Sequence, residues 1–373
     1  MMRWLRDGRT AADIMAEHRG MGPGFDALRL GLAFLVLAMH SISVSYGPAF
    51  DTELWGLPVF KQVHSAVLPM FFALSGFLVT ISAVRTRRLG TFLAHRGLRI
   101  VPALLTEVML TVLILGPLLT TWALSDYFSS PLVTKYLLNV VGSVQYYLPG
   151  MFETNPVPGV VNVNLWTLKP EFYCYICMAL VMASGIVYSV RQHTALAVAG
   201  TLAYVFYLAQ HQWGFKSSGP LAWHVLVYAF LIGSVAYHYT DRIVIDARLA
   251  LLAAFVAYGA FHYPPAIIVA LVAVTYCMLY LGMSALPVMG WLKGRDISYG
   301  IYLYGFPIQQ ATVYLLPKEA HVWWVVLPIA VVAATGFSIA SWHLIEKPML
   351  GFKRYLKAKP QPARSEASAG SIG

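Results

Sequence analysis

Ten apolar stretches, at roughly 27–47, 65–83, 100–122, 166–189, 194–212, 221–239, 247–263, 265–284, 297–316 and 322–345, follow one another along this chain. A hydrocarbon core about 30 Å thick is crossed by about 20 apolar residues in a helix rising 1.5 Å per residue. Backbone N–H and C=O groups inside lipid must pair within their own segment, so such a chain folds as an all-α bundle. The reading is a polytopic membrane bundle of about ten transmembrane helices. The weakest division is near 247–284, where only Tyr263, Pro264 and Pro265 separate two apolar stretches. Charged residues make up 11% of the chain, against about 25% in soluble domains, which excludes a soluble class.

Charge then sets the orientation. With the N-terminus on the cytoplasmic side, 20 Lys and Arg fall inside and 5 outside (Lys61, Lys135, Lys169, Lys216 and Lys318). Arg29, within the first span, completes the 26. That asymmetry is a positive-inside signature with both termini cytoplasmic. The net charge of +10 therefore reports topology and not nucleic-acid binding. Residues 1–24 lack the apolar core of a signal peptide and read as a cytoplasmic or interfacial lead-in. Residues 25–350 form the membrane domain, and the basic, low-complexity tail 351–373 reads as disordered. Outer loops are expected at 48–64 and 123–165; the second, rich in Tyr, Asn, Pro and Gly, suits either carbohydrate contact or an interfacial aromatic belt. Cys174, Cys177 and Cys277 lie in apolar segments; the first two have redox or zinc spacing, but with no second ligand pair the reading is packing.

Chemistry in such a bundle shows as polar groups that the bilayer makes costly. Arg29 and His40 are eleven residues apart in the first span. In a helix this is three turns plus about 20°, so they share one face about 16 Å apart. Intramembrane ionisable groups face a protein interior or cavity and mark function. His40 reads either as a helix–helix hydrogen-bonding group or as a general base near neutral pH. Glu171, in Trp166-Thr167-Leu168-Lys169-Pro170-Glu171-Phe172-Tyr173, is expected about one turn into its span, level with His40. It would either orient the imidazole or pair with Lys169 at the interface. Arg96 and Arg99, three apart at the start of a span, form a bidentate phosphate clamp or a lipid-headgroup anchor. Glu107, inside the third span, is expected to have an ion-pair partner. Gly76 and Gly300 would permit close helix approach, and Tyr299, Tyr302 and Tyr304 either pack or donate hydrogen bonds into a cavity. No Ser-His-Asp signature, phosphate-cradling glycine loop or metal-spaced His/Cys cluster occurs, which argues against a metal enzyme.

Together these stretches resemble the acyltransferase-3 family of integral membrane acyltransferases from about 25 to 348. Phe25 to His40 looks like the family's arginine-x10-histidine opening, and Phe71-Phe72-Ala73-Leu74-Ser75-Gly76-Phe77-Leu78 like its second-helix signature. Arg96-Gly97-Leu98-Arg99 resembles its RxxR element, and Trp166 to Tyr173 its tryptophan–glutamate motif. Ile297-Ser298-Tyr299-Gly300 and Ile345-Glu346-Lys347-Pro348 complete six matches in family order. The resemblance implies a multi-pass protein of the bacterial cytoplasmic (inner) membrane. It would take an acyl group, usually acetyl, from cytoplasmic acyl-CoA as co-substrate. The acceptor would be a hydroxyl of a cell-surface, secreted or lipid-linked glycan. Carried over, His40 is the catalytic base with Arg29 its motif partner, Glu171 assists it, and Arg96 and Arg99 bind the CoA phosphates. Gly305 stands where many relatives carry a histidine, so no role is assigned there, and no extracytoplasmic SGNH-type domain is expected after the last span. Two rivals remain open: a transporter or flippase of a lipid-linked glycan or other small molecule, and a membrane sensor or scaffold.

Overall fold

The computed structural model describes residues 8–54, 56–211, 222–286 and 296–354. The tail expected to be disordered lies, from residue 355 on, outside the described residues. Among the described residues the architecture is all-helical, with two isolated bridges (Thr10 to Val244 and Tyr147 to Val160) in place of any sheet. The order is α1 (Ala11–Glu17), α2 (Phe25–Leu54), α3 (Pro58–Thr86), α4 (Leu89–Leu119), α5 (Leu124–Ser129) and α6 (Pro131–Leu137). There follow α7 (Leu168–Ala183), α8 (Val190–Gln210), α9 (Trp223–His238), α10 (Ala247–Ala260), α11 (Ile267–Met283), α12 (Ser298–Leu315) and α13 (Trp323–Gly351). Each apolar run holds one of α2–α4 or α7–α13. Five described helices, α2, α3, α4, α13 and α11 with its leading turn from Pro264, are long and apolar enough to cross a membrane.

Two expectations about the outer loops need correction. The outer loop 48–64 is mostly helix: Gly47 (φ 82°) kinks α2, and Pro48 restarts it as far as Leu54. A Cβ at Gly47 would come 2.9 Å from the Pro156 carbonyl oxygen, so close approach as well as φ selects glycine. The helix α4 begins at Leu89, so Arg96 and Arg99 lie on it just ahead of the apolar stretch at 100–122. The segment 123–165 does not stay outside the bundle. Asn155 donates to the Gln310 carbonyl at 2.9 Å, Asn162 to the Leu303 carbonyl at 3.0 Å and Asn164 to the Tyr302 carbonyl at 2.5 Å. In return the Gln310 amide of α12 donates to the Val157 and Val160 carbonyls at 2.8 and 2.6 Å, which satisfies part of this irregular backbone.

Small residues set the closest helix contacts. The most extensive interhelical interface is α3 against α9. There a Cβ on Gly76 would lie 2.0 Å from the Phe230 carbonyl oxygen, and one on Gly233 would lie 1.9 Å from that of Ala73. Lipid tails are as apolar as the helices, so close backbone packing and interhelical hydrogen bonds hold such contacts. Thr80 and Ser234 hydroxyls meet at 2.7 Å in this seam, and His193 reaches Ser234 at 3.0 Å. Gly300 plays the same part between α12 and α13, where a Cβ would meet the Ser338 hydroxyl at 2.8 Å. Glu107, fully buried in α4, has neutral partners in place of the expected ion pair: Asn162 at 2.9 Å and Thr111 at 3.2 Å. The three cysteines are free; Cys174 is buried and Cys177 exposed, so the pair does not share an environment.

Candidate active site

Helices α2 and α12 run side by side in the same direction. Arg29 meets Asp296 at the start of α12, the Gln309 amide donates to the Leu37 carbonyl and Ser41 hydroxyl at 2.6 Å each, and the His40 ring lies edge-on to Phe306 at 5.3 Å. Parallel alignment carries the Arg29–His40 spacing across to α12 and defines two levels about 16 Å apart.

At the lower level the arginines converge. Asp296 bridges Arg29 (3.0 Å) and Arg99, Arg29 also pairs with Asp26, and the Ser298 hydroxyl donates to Asp296 at 2.5 Å. Burial opposes ionisation of Asp296, but the two guanidiniums outweigh it and hold its carboxyl well below the usual carboxylate range. Arg96 donates to the Ser82 hydroxyl at 3.4 Å and lies 6.0 Å over the rings of Phe92 and Tyr175. Its buried Nε has no partner, nor has that of Arg29. The Tyr175 hydroxyl donates to Glu171 at 2.6 Å.

A cavity of about 150 Å³ rises from these groups between α2, α3, α4, α7 and α12. Arg29, Arg96, Arg99 and Glu171 all line it, together with Tyr175 and Tyr302. On α3 the lining runs from Leu68 to Val79, eleven positions apart, which matches the Arg29–His40 spacing. This volume is below the roughly 300–1,000 Å³ of sites that enclose whole small molecules.

His40 sits above this cavity and outside its lining. Its buried Nδ1 has no hydrogen-bond partner. His64 on α3 is within electrostatic reach of His40, and Asp51 within reach of His64. Asp51 itself accepts from the Ser43 hydroxyl at 2.8 and 2.7 Å. Glu171, expected level with His40, is grouped with Arg96, Arg99 and Tyr175 instead. The reason is the inward path of residues 155–167, which starts α7 deep in the bundle. Of the expected tyrosines, Tyr299 and Tyr302 line the cavity, and the Tyr302 hydroxyl meets Thr167 at 2.9 Å. Tyr304 turns away to Ser341 at 3.1 Å. Gly305 packs against α2, where a Cβ would lie 2.6 Å from the Leu37 Cδ1, so a larger residue here would require the Leu37 side chain to shift. Sequence reasoning missed Asp296 and Tyr175. A carboxylate two residues before an apolar helix that begins with Ser298 was the available signal for the first. No cluster of three or more His, Cys, Asp or Glu suited to a metal occurs among the described residues.

The described residues thus form an all-helical bundle of membrane type, with a cavity lined by Arg29, Arg96 and Arg99 and a buried imidazole at His40. The chain belongs to the acyltransferase-3 family, whose acyltransferase domain model matches residues 23–343. It is similar to an O-acetyl transferase of Shigella phage Sf6, 27% identical over 337 residues, covering 87% of this chain and 95% of the relative. It is equally similar to Nodulation protein 10 of Rhizobium leguminosarum bv. viciae, 27% identical over 375 residues, covering 92% and 97%. No solved structure matches.

Proposed function

We propose that this protein transfers an acyl group, acetyl in the simplest case, from acyl-CoA to a glycan hydroxyl, across a bacterial cytoplasmic membrane that it spans about ten times with both termini inside. The observation that carries this reading is one cavity lined by Arg29, Arg96, Arg99 and Glu171, four of the five residues the family resemblance singles out. Family membership and the phage O-acetyl transferase support acyl transfer as the reaction class.

In this reading the donor's pantetheine arm threads the cavity, and Arg96 and Arg99 attract its diphosphate at the lower end. Arg96 lines the cavity and holds no carboxylate partner in a salt bridge among the described residues, so its charge faces the diphosphate. Asp296 holds Arg29 and Arg99 in place, and Tyr175 fixes Glu171, which sets the potential along the arm. The thioester would reach the His40 level about 16 Å above. Neutral His40 takes the proton of the acceptor hydroxyl as the oxygen attacks the thioester carbonyl. The tetrahedral intermediate collapses with cleavage of the carbon–sulfur bond, and the imidazolium protonates the departing thiolate. Apolar walls at Phe71, Phe72 and Leu303 exclude water and so limit hydrolysis of the thioester.

The test is thiol release from acetyl-CoA by purified protein with total envelope glycan. Removing a general base costs about 10²–10⁴-fold, so folded His40→Ala protein should release almost none. Equal release by both proteins moves the chemistry off His40. No release from any acyl-CoA defeats the enzyme reading and leaves transport of a lipid-linked glycan.

A further inference from the structure

A second cavity, of about 450 Å³, opens at the end of the bundle where α3 terminates, and it shares no lining residue with the first. Its walls are Ala12, Met15 and Ala16 of α1, the α3 end, the turn at Val187 and Tyr188, and the α9 end from Tyr237 to Thr240. The polar groups facing it are Arg85, Arg87, Tyr188, Tyr237, His238 and Thr240, with no carboxylate among the lining residues. This is a donor-rich, cationic set, and neither the family motifs nor the proposed reaction uses it.

The two guanidiniums are held in place. Arg87 caps α3 in the left-handed region (φ 55°), its N–H donates to the Ala83 carbonyl, and its guanidinium lies 5.7 Å over the Tyr188 ring. Arg85 donates to the Gly20 carbonyl at 2.9 Å, and a Cβ at Gly20 would lie 2.2 Å from that guanidinium, so glycine makes room for it. The third wall is fixed too, because α1 is tied by backbone bonds from Ala11 to Ile243 and from Ala12 to Thr240. His238 lines the pocket too, and its ring lies tilted 4.6 Å from that of His193.

We infer that this pocket binds a phosphate-bearing anion, with Arg85 and Arg87 taking the phosphate and Tyr188, Tyr237 and Thr240 forming the polar wall around it. Arginine forks match phosphate oxygens bidentately, and donors fixed in advance lose little entropy on binding. A volume of about 450 Å³ exceeds what bare phosphate fills, so the phosphate is carried on a small organic body. Two sources share this chemistry: a nucleotide phosphate from solution and the headgroup of an anionic lipid. Arg85 lies seven residues beyond Leu78 on the same face of α3, about 10 Å along the axis. Leu78 lines the first cavity, so the two sites are neighbours. The inference goes beyond the acyl-transfer reading and stands without it.

Thermal unfolding of the full chain would be followed in neutral detergent with adenosine 3′,5′-bisphosphate, and in nanodiscs of phosphatidylglycerol against phosphatidylcholine. Wild type should be stabilised in at least one arm, since a ligand that binds only the folded state raises its stability. Apparent affinity should weaken about tenfold or more in Arg85→Gln and in Arg87→Asn, the loss expected for one charged hydrogen-bond donor. Asparagine tolerates the left-handed cap, so Arg87→Asn keeps the test alive if Arg85→Gln fails to fold. Stabilisation by the bisphosphate alone identifies a soluble nucleotide phosphate, and stabilisation by phosphatidylglycerol alone identifies a headgroup. No stabilisation of wild type in either arm, or equal affinities in wild type and Arg87→Asn, overturns the inference.

Discussion

Asp296→Asn removes the one carboxylate that bridges Arg29 and Arg99, with side-chain exposures of 12% for Asp296, 18% for Arg29 and 29% for Arg99. Breaking a fully buried pair costs about 3–5 kcal/mol because a charge is left uncompensated. Here Arg29 keeps Asp26 and both guanidiniums retain some water, so the expected cost is about 2 kcal/mol, roughly 30-fold in the folding equilibrium. The pH dependence has a definite sign. The folded carboxyl titrates below its unfolded value near 3.9, so its stabilisation is complete above about pH 4. It is lost as pH falls through the folded value, while Asp296→Asn is insensitive to this titration. The gap between the two proteins should therefore be constant from pH 5 to 8 and close only in strong acid. Thermal unfolding in detergent, run as a double-mutant cycle with Arg99→Gln, should give a coupling above about 1 kcal/mol. The KM for acetyl-CoA should rise in Asp296→Asn as Arg99 loses its fixed position. Additivity within about 0.5 kcal/mol, with an unchanged KM, would refute the bridging argument.

Three further outcomes follow from the packing and the site. Gly76→Ala puts a Cβ 2.0 Å from the Phe230 carbonyl, so α3 and α9 must part, and unfolding should show a loss of about 1–3 kcal/mol; an unchanged melting temperature would count against the glycine seam. Glu107→Gln keeps an acceptor for Asn162 and should cost less than about 1 kcal/mol, whereas Glu107→Leu removes that bond and should cost about 1–3 kcal/mol; equal losses would mean that the charge itself matters. Tyr175→Phe frees Glu171 from its 2.6 Å hydrogen bond and should lower kcat/KM about tenfold with little change in melting temperature; full activity would remove Glu171 orientation from the mechanism.

The sequence carried the all-helical bundle because hydropathy is a local property: each apolar run holds one helix, whatever its neighbours. The face shared by Arg29 and His40 was legible for the same reason, as helix geometry alone sets it. The close approach at Gly76 could be foreseen as an allowance, but its partner Gly233 could not, since the facing helix is chosen by packing. Glu171 shows where local reasoning stops. Its depth was counted from an assumed surface loop, yet Asn155, Asn162 and Asn164 bond to α12 and draw residues 155–167 inward, which sets Glu171 beside the arginines. Arg99 and Asp296 are 197 residues apart in the chain, and Tyr175 reached importance only by lying between Glu171 and Arg96. Local sequence determines where a helix forms and which of its residues share a face. Only the tertiary structure decides which faces meet, because burial in a bundle makes each charge answer to whatever partner the packing brings to it.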